Sequence, residues 1–230
     1  MRFLVLAVAL FLEKTFSLSQ WRKRFFVNSL YLRRAETVFS KYAFYRGYIG
    51  VLCLVVPAAV VVLLLEILIF RNLHGLLLPI FNLLVVMYCL EGCDFRCQYS
   101  LDTQMEKSQY QFTLIFWFML LGAFGAVFAR LLQTLSEEGD HRLREAANRL
   151  YAYLAWVPSR LLSLSFALVG NFSEVLNRWA ADAKSAGNHE LLCASASLAM
   201  NEQYETVKLS QLVNRALLIW LAVYAILILI

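Results

Sequence analysis

The stretch YAYLAWVPSRLLSLSFALVGNF, from Tyr151 to Phe172, decides how the rest of the chain is read. It is long and apolar enough to enter a bilayer, yet Trp156, Pro158, Ser159 and Arg160 fall together near its front. A guanidinium at hydrocarbon depth costs roughly 2.5 kcal/mol or more, so such a residue normally faces protein, water or a polar ligand. Proline removes a backbone donor and disfavours helical geometry in the residue before it, here Val157. Two readings stand. In one, a short helix begins at Pro158 and Arg160 snorkels from it. In the other, Arg160 binds an anion or pairs with another helix within the membrane.

Composition sets the class in which both readings belong. Of 230 residues, 61% are hydrophobic and 16% charged, against roughly a quarter charged and under half apolar in a soluble domain. An all-α, multipass integral membrane protein with amphipathic surface helices is expected, forming a single membrane domain over 1–230. The net charge of +5 does not point to nucleic acid, because the basic residues cluster beside apolar runs, where anionic headgroups are the simpler partner.

Six apolar stretches are expected as spans, at about 3–18, 49–70, 76–90, 113–132, 151–170 and 212–230. Whether the first and fifth cross fully is left open by their length and composition. Phe3 to Leu12 ends at Glu13 and Lys14 without a small-residue cleavage site, so it reads as a retained helix with a carboxylate at the interface. Ile49 to Phe70 carries Pro57, an expected kink, and one acid, Glu66, placed at the interface. The short link from Arg71 to Gly75 implies an antiparallel hairpin. In Thr113 to Leu132, Gly122, Ala126 and Ala129 set small residues on one face for close helix approach, and Arg130 ends the span, snorkelling or turned inward.

The polar segments complete the layout. From Trp21 to Tyr48, Arg22, Lys23, Arg24, Arg33, Arg34, Lys41 and Arg46 alternate with aromatic residues, as in an amphipathic helix on an anionic leaflet. The positive-inside bias makes it cytoplasmic. Glu91 to Gln111 is polar and helix-compatible, Gln133 to Arg149 reads as a solvated hairpin broken at Gly139, and the region from Asn171 to Gln211 reads as surface helices.

No metal or cofactor is expected. Cys89, Cys93 and Cys97 recur at four-residue steps, but close CxxC pairs are absent and His74, His141 and His189 are scattered, so the thiols read as reduced small hydrophobes. Phosphate-loop, HExxH and GxSxG motifs are likewise absent from the sequence. The candidate site is therefore Arg160, Arg130, Glu13, Ser159 and Trp156, suited to a small anionic ligand.

Three blocks carry a resemblance: LAWVPSRLLSLSFALVGNF from Leu154 to Phe172, IFWFMLLGAFGAVFARLL from Ile115 to Leu132, and FLVLAVALFLEK from Phe3 to Lys14. In this order they resemble the bacterial AmpE family, of a superfamily with the cobalamin-biosynthetic membrane enzymes CobD and CbiB. The resemblance implies a multipass inner-membrane protein, a sensor or modulator linked to β-lactamase induction and cell-wall recycling, its signalling partner unknown. The alternative it implies is a membrane-embedded ligase or transferase, with Arg130 and Arg160 at positions matching basic ones in the superfamily motifs.

Overall fold

The computed structural model describes residues 2–16, 47–72, 77–90, 101–139, 141–182, 186–200 and 206–229. Among them are ten helices and no strand: α1 (Arg2–Phe16), α2 (Tyr48–Asn72), α3 (Leu78–Cys89), α4 (Leu101–Leu121), α5 (Ala123–Glu138), α6 (His141–Leu154), α7 (Trp156–Val169), α8 (Phe172–Asp182), α9 (Asn188–Ala199) and α10 (Thr206–Leu229). The all-helical expectation holds. The basic segment 21–46, Cys93 and Cys97 lie outside the described residues, as does the side chain of Glu13.

Among the described residues, two helices are long and apolar enough to cross a membrane, α2 over Tyr48–Arg71 and α10 over Leu209–Ile226. The broken pair Leu143–Leu154 and Trp156–Val169 makes three if it counts as one span. Only 22% of the apolar window of α2 is buried within the protein. Leu52, Val56, Val60, Leu64, Ile67 and Leu68 along it are exposed, at steps of three or four residues that set apolar side chains along one side of the helix, the kind of surface that marks a membrane or protein contact. Pro57, where a kink is expected, lies inside α2, which runs from Tyr48 to Asn72 as one helix. The runs expected as spans at 3–18 and 76–90 form helices of 15 and 12 residues, shorter than the roughly 20 a crossing takes.

The expected span 113–132 is divided. Gly122 adopts φ 75°, a left-handed conformation open to glycine but costly for other residues, and it ends α4 and begins α5. The polar residues before Thr113 and the apolar ones after it belong to one helix, α4, rather than to a surface segment and a span.

The chain forms two compact units, dividing within α4 and at the Leu154–Ala155 break. In the first, α5 packs on α6, and α2 on both, while α3 packs on α1, α2 and α5. Leu54, Val55, Ala59, Ala126, Leu132, Leu135, Leu143 and Ala147 are buried there. Close approach is set by Gly125, where a Cβ would lie 2.4 Å from the Trp117 carbonyl oxygen. Helix ends are satisfied by side chains: Trp117 Nε1 donates to the Leu154 oxygen at 3.2 Å, and Arg144 Nε to the Ser136 oxygen at 2.9 Å. Each carbonyl sits in a last helical turn, which lacks an intrahelical donor. The segment Gln133–Arg149, expected as a solvated hairpin, thus contributes Leu135, Leu143 and Ala147 to this core.

In the second unit α7 is central and packs on α8, α9 and α10. Its buried face carries Ser159, Ser163 and Ala167 at four-residue steps, with Gly170 beyond. Two of these positions meet α9: the Ser163 and Ser195 hydroxyls are 2.5 Å apart, and a Cβ on Gly170 would lie 2.5 Å from the Ala199 oxygen. Small residues at this step let two helices approach to backbone contact. Ser165 accepts from Trp220 Nε1 of α10 at 2.7 Å, and Trp220 meets Phe112 edge-on at 5.8 Å.

Candidate functional site

The WVPSR block builds the start of α7. Ala155 breaks the helical run, Trp156 starts the new helix, and Pro158 falls in its first turn, where a missing N–H removes no intrahelical bond. The following turn carries Arg160. Its side chain is only 6% exposed, so neither water nor headgroups are its main surroundings. Nη1 donates to the Asn188 side-chain oxygen and to the Trp156 oxygen at 3.4 Å, while Nη2 donates to the Ala186 oxygen at 2.9 Å. The guanidinium lies 4.7 Å from the Trp156 ring centre, within reach of cation–π attraction. From α8, Trp179 Nε1 donates to the Arg160 backbone oxygen at 3.2 Å. Arg160 therefore ties α7 to the start of α9, its fork bridging two acceptors on one segment.

The other sequence-predicted residues are placed as follows. Trp156 packs on Arg160 and keeps 45% of its surface exposed. Ser159 is buried, and its hydroxyl has no hydrogen-bond partner among the described residues. Arg130 belongs to the first unit, where Nη1 donates to Gln133 Oε1 at 3.0 Å and Gln133 in turn donates to Glu137 at 3.0 Å. Glu66, expected at an interface, is a buried residue of α2.

One cluster was not anticipated. Asp102, in the first turn of α4, meets His189 and Cys193 of α9, and their potential ligand atoms all lie within 4.8 Å of one another. Cys193 Sγ and His189 Nε2 are 3.5 Å apart. His189 and Cys193 stand one helical turn apart on α9, which places both on one face.

Fold and site together define a class: a protein that is all-helical over its described residues, with two or three membrane-length helices among them and a buried arginine joint beside a His–Cys–Asp cluster. Beyond that class, comparison with family models, curated proteins and solved structures finds no match to this chain.

Proposed function

We propose that this chain is an AmpE-like bacterial inner-membrane protein that modulates β-lactamase induction without catalysing a reaction itself. The three blocks quoted above support the family reading. The observation that carries the non-catalytic reading is the commitment of Arg160: its donors go to an amide and two backbone carbonyls of the same unit, so the most unusual residue of the WVPSR block acts as a joint. A joint between α7 and the start of α9 can shift when a partner or ligand binds one helix in preference to the other, as a signalling role needs.

The reading is tested in a bacterium with an inducible β-lactamase and its own copy of this gene deleted. Deletion should change enzyme induction by a β-lactam at least severalfold, and restoring the parent chain should return it. Unchanged induction after deletion would sink the proposal.

A further inference from the structure

The cluster at the junction of α4 and α9 has the chemistry of a metal centre. A zinc ion with Zn–S of about 2.3 Å and Zn–N of about 2.0 to 2.1 Å at a tetrahedral angle holds its sulfur and nitrogen about 3.5 Å apart. Cys193 Sγ and His189 Nε2 are separated by 3.5 Å. Their separation thus matches the one a shared zinc ion would impose. Asp102 brings a third donor within 4.8 Å, and because this carboxylate is exposed, a change of rotamer can close the remaining gap. The start of α9 is held in place by Arg160 through Ala186 and Asn188, immediately before His189, so the imidazole rises from a fixed turn.

We propose that Asp102, His189 and Cys193 bind a divalent ion of the zinc class, with a fourth position open to water or an exogenous ligand. The donor set selects among cations: thiolate and imidazole favour zinc and its neighbours, while magnesium and calcium favour oxygen donors throughout. Three protein ligands leave the ion short of the four that close a structural site. Binding displaces the Cys193 thiol proton to solvent, so affinity rises with pH. The site stands independently of the induction reading.

The full chain, purified in detergent under reducing conditions and stripped with a chelator, is titrated with cobalt(II). One cobalt per chain should bind with a thiolate-to-cobalt charge-transfer band, and zinc should displace it. The band should vanish in Cys193→Ser. Loss of outer partners alone costs metal sites about 10- to 100-fold, so His189→Ala and Asp102→Asn should weaken cobalt binding by at least about 100-fold. In the parent chain, zinc should also slow alkylation of Cys193 while leaving Cys53 unaffected. Absence of the band in the parent, its survival in Cys193→Ser, parent-like binding by Asp102→Asn, or equal alkylation of Cys193 with and without zinc would each overturn the assignment.

Discussion

At the scale of the residue, Arg160 answers the question its sequence context posed. A snorkelling arginine extends its head toward water, and lysine does that equally well. Here the guanidinium instead bridges the Ala186 oxygen and the Asn188 amide from two different nitrogens, a task matched to a planar five-donor fork and not to one ammonium. Arg160→Lys should leave at least one of these acceptors unpaired. Hydrogen bonds to charged groups contribute about 1.5 to 3 kcal/mol, so the variant should be destabilised by about that amount, read as a lower melting temperature in detergent. A parent-like melt would return Arg160 to the snorkelling reading. The sequence marked this residue as unusual because charge inside an apolar run is visible in one dimension. It did not show the acceptors, because Ala186 and Asn188 come from a polar segment with no signal of its own.

Between elements, the controlling feature is how closely backbones approach. In the seam between α7 and α9, a Cβ on Gly170 would lie 2.5 Å from the Ala199 oxygen and 2.7 Å from its Cβ. These atoms are backbone or directly attached to it, so no side-chain rotation relieves the overlap. Gly170→Ala should push the helices apart and cost about 1 to 3 kcal/mol, the usual range for overpacking. Gly187→Ala serves as the control, since a Cβ there meets nothing within 4 Å and the backbone has φ −61°. Chemical or thermal denaturation in detergent should separate the two variants; equal stability would mean the seam is loose. The signal for this seam was present in the sequence as Ser159, Ser163 and Ala167 at four-residue steps, but serine in an apolar run reads as polar before it reads as small. Gly122 is buried with Ala126 and Ala129, as its reading as a small contact residue requires, but it also breaks the helix. Its φ of 75° is a property that composition does not encode, so one expected span is two helices. His189 and Cys193 were legible as a pair one turn apart, yet Asp102 reaches them only through the packing of distant helices.

For the whole molecule, the apolar surface is the controlling quantity. The exposed leucines, valines and isoleucines of α2 form an apolar surface with little protein around it, on a helix long and apolar enough to cross a bilayer. This much was legible, because an uninterrupted apolar run needs no tertiary information to be read. The number of crossings was not, since it depends on where helices break, as at Ala155 and Gly122. Val61 tests the membrane placement directly: it lies near the middle of α2 and 54% of its surface is exposed in the protein. If lipid covers this face, a cysteine introduced by Val61→Cys should resist an impermeant maleimide in intact membranes and react fully once the bilayer is dissolved in a denaturing detergent, as peptide mapping would show. If water covers it, that cysteine should react at once in both conditions, and α2 would then be an exposed surface awaiting a protein partner instead of a membrane span.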